Sequence, residues 1–258
     1  MSTGANVLNL RGVHKSFGGL KVIDDVSFDV ARCSRTALIG PNGAGKTTLM
    51  RVISGLLPVT SGALTMEGRS LLDIAPYRVV ETGIAHVPEN RRLFARMTVE
   101  ENLQLGGWTF RRNKKLVREK MEANYERFPV LRDKRKQITG ELSGGQQRMV
   151  EIGRTLMANP KMLLIDEPTA GLSKMLAEEV YEMLTVLTSQ DNLTILIVDQ
   201  EIRGQTLKVF AKTPRSLRVL RVSRLSRLTT FGVSERQTGS TRSNWPWARA
   251  LRSPSRTA

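Results

Sequence analysis

The chain has 258 residues, 40% of them hydrophobic, which suits one or two domains with a substantial core. Its net charge of +16 would ordinarily point to nucleic acid or an anionic surface, but residues 203–258 alone carry +12, with 13 Lys and Arg against one acid, and residues 1–202 only +4. One cysteine excludes an intrachain disulfide and disfavours a Cys-built metal site, no basic and apolar leader suggests a signal peptide, and no apolar run nears the ~18 residues of a membrane span.

Val7–Val13 alternates and predicts a strand; His14–Gly19 predicts a turn carrying one aromatic, Phe17. Residues 21–30 predict a strand pair. Thr36–Ile39 is a short apolar run that predicts a buried strand, and it leads into Gly40-Pro41-Asn42-Gly43-Ala44-Gly45-Lys46-Thr47. That octet matches G-x-x-x-x-G-K-[ST] at every fixed position, and the following residues, from Thr48 to Leu57, predict a helix. Strand, Gly-rich loop and helix together form a phosphate cradle. The glycines admit backbone close to a phosphate, the helix N-terminus favours the anion, Lys46 reaches the β- and γ-phosphates, and the Thr47 hydroxyl suits Mg²⁺. The nucleotide site is therefore assigned to residues 40–48, Thr48 included.

Residues 62–68 predict a strand and turn, and Ile84–Val87 a strand ending at Pro88-Glu89-Asn90. From about 98 to 158 the pattern turns helical, with Thr98 and Glu101 spaced as a capping box and Leu116, Met121, Tyr125 and Phe128 spaced as one helix face. Leu142-Ser143-Gly144-Gly145-Gln146 is a second Gly-containing loop opening a helix. Met162–Ile165 predicts a buried strand ending in Asp166-Glu167, then a helix over roughly 174–189, then a buried strand from 194 to 198 ending at Asp199-Gln200. Apolar strands with polar C-terminal ends, separated by helices, indicate a parallel sheet with ligands at the strand ends. Beside a phosphate loop, Asp166 suits the Mg²⁺ site and Glu167 suits the general base that polarises water. His14 and His86 are isolated and match no metal pattern, and the run Arg111–Lys115 reads as a solvated helix face.

The LSGGQ loop lies 97 residues after Lys46 and 23 before Asp166, and on these motifs the chain resembles the ATP-binding subunits of ABC transporters over about residues 7–202. The resemblance implies an α/β fold: a phosphate-loop NTPase (RecA-like) core with an antiparallel β subdomain and an inserted helical subdomain at about 90–158. It implies a head-to-tail dimer of two cassettes, identical or paralogous, in which Ser143, Gly144, Gly145 and Gln146 of one contact the ATP held by the other. It places Phe17 against adenine, Glu89 at the Q-loop and Mg²⁺ site, Ser173 where the D-loop Asp usually stands, and Gln200 at the catalytic switch where a His is usual. An amide there can donate a hydrogen bond but cannot carry charge. The stretches Val87–Phe94 and Thr98–Leu103 are similar to branched-chain amino acid transport ATPases, in which Glu89 and Gln200 are features of one subunit type. Implied partners are a second cassette, an integral-membrane permease and, indirectly, a substrate-binding protein, with ATP and Mg²⁺ as cofactors and a cytoplasmic place on the inner membrane face. No nucleic-acid partner is expected, because no aromatics interleave with the basic run. A nucleic-acid-acting ATPase of this class usually needs two fused cassettes or a long coiled coil. A binding-only regulatory cassette would not need Glu167.

The resemblance ends near Arg203, so residues 1–202 are expected to be the ATP-binding domain and 203–258 a poorly ordered basic tail rich in Arg and Ser. That composition fits a reading-frame change near Arg203–Gly204, and the rival is a basic appendage for anionic lipid or nucleic acid. An off-frame tail would cost the sheet the strands expected beside the phosphate loop and leave an aggregation-prone edge. The segment Ala31–Arg35 stands where a Gly-Glu turn is usual, and a less secure local fold is expected there.

Overall fold

The computed structural model describes residues 6–90, 93–199, 208–209 and 218–222. Two sheets organise it. The first is antiparallel, in the order β2-β1-β4-β5, from β1 (Asn6–Phe17), β2 (Leu20–Ala31), β4 (Ser61–Met66) and β5 (Arg69–Ser70). The second has six strands in the order β6-β7-β8-β3-β10-β9, from β6 (Ile84–Val87), β7 (Met162–Asp166), β8 (Thr194–Asp199), β3 (Arg35–Ile39), β10 (Arg218–Val222) and β9 (Lys208–Val209). The four strands from β6 to β3 run parallel. Helix α1 (Lys46–Ile53) follows the Gly-rich loop. Between β6 and β7 the chain inserts α2 (Val99–Gly106), α3 (Lys114–Arg127), α4 (Pro129–Asp133) and α5 (Gly144–Leu156), and α6 (Lys174–Gln190) joins β7 to β8.

The parallel strands are mostly apolar because both faces are covered. Successive side chains of a strand point to opposite faces. Met162 and Leu164 of β7 therefore join Leu196 and Val198 of β8 in one buried cluster with α1 and the antiparallel sheet. Leu163 and Ile165 join Ile195 and Ile197 in a second cluster with α2 to α6. The first cluster carries the phosphate loop and the second carries the LSGGQ loop, so the two loops are mounted on opposite sides of one rigid sheet.

The inserted helices form as their end signals predict. Thr98 and Glu101 make the capping box, with Thr98 N–H donating to Glu101 Oε2 at 2.7 Å and Glu101 N–H to Thr98 Oγ1 at 3.2 Å. Met121, Tyr125 and Phe128 of the predicted face are buried. The packing of α2 on α5 needs Gly106, where a Cβ would sit 1.9 Å from the Arg154 carbonyl oxygen.

Three expectations change. Residues 14–17 are not a turn: β1 runs on to Phe17, its pairing with β2 shifting register at several bulges, and the chain turns only at Gly18-Gly19. Residues 21–30 are likewise one strand, with Asp25 at φ 49° taking up the irregularity. The expected loss of sheet strands beside the phosphate loop does not hold for the described residues, since β10 pairs antiparallel with β3 from Arg218↔Ile39 to Val222↔Arg35. The strand-favouring run Arg218-Val219-Leu220-Arg221-Val222 supplies a ladder that β3 can complete on that side.

At Ala31–Arg35 the turn puts Cys33 at φ 52°, a left-handed conformation that L side chains adopt at some cost. It is tied down by Cys33 N–H donating to Thr194 Oγ1 at 2.9 Å and Ser34 Oγ to the Ala31 carbonyl at 2.6 Å. Among the described residues no helix is long and apolar enough to cross a membrane.

Candidate functional site

The site lies at the C-terminal ends of β3, β6, β7 and β8. After Ile39 the chain turns through Gly43 (φ 79°) and Gly45 (φ 84°), both in the left-handed region that glycine tolerates. Gly45 has a second reason to lack a side chain: a Cβ there would meet the Val22 carbonyl oxygen at 2.7 Å. Around Gly43 nothing lies within 4 Å of such an atom, which leaves the mouth of the loop open. Lys46 begins α1, is only 6% exposed, and donates from Nζ to the Gly40 carbonyl at 2.7 Å and the Pro41 carbonyl at 2.9 Å. The ammonium thus shapes the loop from inside and keeps a third donor for an incoming anion. Pro41 and Asn42 are exposed, and Ala44, Thr47 and Thr48 half-buried.

Asp166 ends β7. It is 1% exposed, and neither carboxylate oxygen has a hydrogen-bond partner. Burial pushes its pKa up, and the charges of Glu89 and Glu167 push the same way. The neighbouring Thr47 hydroxyl tempers the shift while stopping short of a regular hydrogen bond. A buried carboxylate with open lone pairs among other acids fits a divalent cation. Mg²⁺ is commonly held by one or two carboxylates with phosphate and water completing its shell, so Asp166, Thr47 and Glu89 are a sufficient protein share.

Glu167 follows at φ 44°, with its N–H donating to the Val198 carbonyl of β8 at 2.8 Å. Its side chain is half-buried and shares a small recess with Glu89, Arg148, Pro168, Ala170 and Leu172. The structure thus brings Glu89, Asp166 and Glu167 to one place. Phe17 ends β1, is 46% exposed, and has Lys15 Nζ 4.9 Å from its ring centre.

Ser143 caps α5 in a second capping box: its Oγ accepts from Gln146 N–H at 3.3 Å, and its N–H donates to Gln146 Oε1 at 3.2 Å. Its side chain is exposed, and Gly144 opens the helix. Gly145 packs so closely that a Cβ would reach Leu176 Cδ2 at 3.0 Å. The helix that Ser143 caps packs in the helical cluster rather than in the cluster holding α1. Ser173 is the N-cap of α6, accepting from Leu176 N–H at 3.4 Å. Gln200 lies outside the described residues. His14 Nδ1 lies 3.0 Å from Asp24 Oδ1.

Two features escape sequence reading. Arg148 is 3% exposed and pairs with Glu151 at 2.6 Å on the same helix. The i, i+3 spacing was its only local sign. Tyr181 of α6 donates its hydroxyl to Asp199 Oδ2 at the end of β8, and burial first, then Asp199, raises the phenol pKa. No periodic pattern announces that contact.

A family model described as ABC transporter matches residues 23–170. The high-affinity branched-chain amino acid transport ATP-binding protein BraG of Pseudomonas aeruginosa is 37% identical over 203 residues, covering 79% of this chain and 85% of that protein. The lipopolysaccharide export system ATP-binding protein LptB of Haemophilus influenzae is 35% identical, with 79% and 84% covered. Among solved structures, an ATP-binding cassette of an ABC transporter in its ADP conformation superposes with a TM-score of 0.70 at 32% identity, with 77% and 82% covered.

Proposed function

The chain belongs to the ABC transporter ATP-binding family and is an ATPase of that class, and from that premise we propose that it powers import of branched-chain amino acids through a separate membrane permease. The solute and the direction rest on likeness to BraG and to the probable branched-chain amino acid transport protein LivF of Archaeoglobus fulgidus, 37% identical over 184 residues. The lipopolysaccharide export relative is the rival in direction. The working domain is residues 1–202, with the tail strands laid on its sheet, and the subunit sits peripherally on the inner face of the membrane.

The observation that carries the catalytic reading is the orphaned Asp166 carboxylate beside Thr47 and Glu167 at the mouth of the phosphate loop. Residues 40–48 wrap the phosphates of ATP, Lys46 neutralises charge on the β- and γ-phosphates, and Phe17 stacks on the adenine. Asp166, Thr47 and Glu89 would hold Mg²⁺, which when bound draws charge from the bridging and terminal phosphate oxygens. Glu167 accepts a proton from the water that attacks the γ-phosphorus. Gln200 donates a hydrogen bond to the γ-phosphate, and Ser143 to Gln146 of a second cassette close the site from the opposite side by their hydroxyl, backbone N–H groups and helix N-terminus. Loss of the γ-phosphate removes what joins the two halves, and the dimer opens.

The test is ATP turnover by the purified chain and by Glu167→Gln, together with branched-chain amino acid uptake in vesicles carrying the co-purified permease. Turnover that vanishes in the variant supports the ATPase mechanism. Turnover unchanged in Glu167→Gln rejects the base, and efflux in place of uptake rejects the importer.

A further inference from the structure

The Arg148 guanidinium joins three segments that are far apart in sequence. Nη1 donates to Glu151 Oε2 at 2.6 Å and to the Pro88 carbonyl at 3.2 Å. Nη2 donates to the Asp166 carbonyl at 3.0 Å and reaches the Glu167 carbonyl at 3.4 Å. Pro88 precedes Glu89, and Asp166-Glu167 is the acidic strand end, so one planar fork grips the backbone on both sides of the recess that Glu89 and Glu167 line. Arg148 stands five residues after Ser143, on the helix that Ser143 caps. Glu151 supplies the opposite charge that lets the cation remain buried.

The backbone it grips is unusual. Glu167 holds φ 44°, a conformation that persists in a residue with a side chain only where the surroundings over-determine it. Its N–H is fixed by β8, and its carbonyl is approached by Arg148 and by Ala170 N–H at 3.2 Å. The direction of the Glu167 side chain is therefore set partly from α5.

We propose that Arg148 is a positioning residue: it transmits engagement of Ser143 by a second cassette's nucleotide to the backbone carrying Glu89, Asp166 and Glu167. The proposal rests on the ATPase reading above. A nucleotide phosphate drawn against Ser143 pulls on the N-terminus of α5. A helix moves as a unit, and a five-donor planar group cannot follow without dragging the carbonyls it holds. Hydrolysis thereby becomes sensitive to whether the opposite site is closed. Lysine, a single compact donor group, can keep the Glu151 contact but cannot span the same carbonyls.

The experiment compares the full chain with Arg148→Lys and with the double change Arg148→Met and Glu151→Met, which removes the pair without stranding the acid. Three quantities are read: kcat and KM for ATP, affinity for a fluorescent ATP analogue, and amide hydrogen exchange over residues 165–169. In the double variant kcat falls by about 10- to 100-fold, as misplacement of a catalytic group does, with KM and analogue affinity within about twofold. Exchange rises at 165–169 but not in β8, and Arg148→Lys recovers part of kcat. A purely structural arginine would lower thermal stability and leave kcat of the folded fraction intact. If both variants keep wild-type kcat and exchange, the proposal is overturned. If the wild-type chain itself shows no turnover, the proposed function falls while the exchange of residues 165–169 still judges Arg148.

Discussion

Asp166→Asn should make the nucleotide-free protein more stable. Asp166 is 1% exposed, lacks hydrogen-bond partners at both oxygens and faces Glu89 and Glu167, so its ionised form is disfavoured in the folded chain. Leaving a buried polar group unsatisfied costs about 1–3 kcal/mol, and a charged one more. An amide removes the charge, and its NH₂ can donate to a neighbouring acid, so the change should recover at least about 1–3 kcal/mol. For a domain of this size each kcal/mol moves Tm by about 2–4 °C, which predicts a rise of about 2–12 °C in EDTA without nucleotide. The pH dependence has a definite sign. Burial raises the folded-state pKa above its unfolded value, so the folded chain binds the proton more tightly. The penalty is absent below the ordinary Asp value of about 3.9, grows as pH rises through the raised value, and is complete above it. The Tm gap between variant and wild type should therefore shrink as pH falls from neutrality. Adding Mg²⁺ and ATP should reverse the order, because the carboxylate then has the cation it lacks. Thermal melts at several pH values, with and without Mg²⁺ and ATP, decide the matter. A variant equal to or less stable than wild type in EDTA at neutral pH would mean that Asp166 is already satisfied, and the cation-site reading would fail.

Three further predictions follow from local geometry. Gly45→Ala must move a Cβ that stands 2.7 Å from the Val22 carbonyl oxygen at φ 84°, so binding of a fluorescent ATP analogue should weaken at least tenfold, by the ~1.4 kcal/mol or more that left-handed strain of ~1–2 kcal/mol and the clash impose; wild-type affinity refutes it. Gly106→Ala has only 1.9 Å to the Arg154 carbonyl oxygen, so α2 and α5 must part and chemical denaturation should report a loss of about 1–3 kcal/mol; an unchanged midpoint refutes it. Ser143→Ala removes the cap of α5 and should cost about 1 kcal/mol in stability by thermal melt. If Ser143 also serves a second cassette, kcat should drop by far more than that lost cap implies, and a proportionate loss would confine Ser143 to capping.

The local parts of the site were legible in the sequence and the assembled parts were not. The phosphate loop is one contiguous octet between a buried run and a helical face, and each cap is a pair three residues apart, so short windows hold all the physics. Asp166-Glu167 was readable because four apolar residues place it at a strand end. The antiparallel ribbon is obscured at residues 14–17 because bulges break the period-2 alternation on which strand reading depends. The strand β10 was unexpected because its partner lies 179 residues earlier, from Arg218 to Ile39, and local composition says nothing of that pairing. Arg148 is hidden for the same reason: its contacts lie 60, 18 and 19 residues away, and only tertiary folding makes them neighbours.

The place of β3 in its sheet bears on how the chain comes to be folded at all. The strand that presents the phosphate loop is flanked by β8 and β10, both of which leave the ribosome long after it. Its parallel partner begins at residue 194, so the frame of the loop closes only through contacts of very high sequence separation. Such contacts bear the largest loop-closure entropy and slow folding. During synthesis the β1–β2 ribbon can pair at once, whereas Arg35–Ile39 waits with both edges open, an apolar strand exposed to neighbouring nascent chains. The cell's need for chaperones with this protein should accordingly be concentrated in the interval between translation of residue 39 and of residue 222, when both neighbours of β3 have been made, and the loop that binds the nucleotide is among the last parts to acquire its shape.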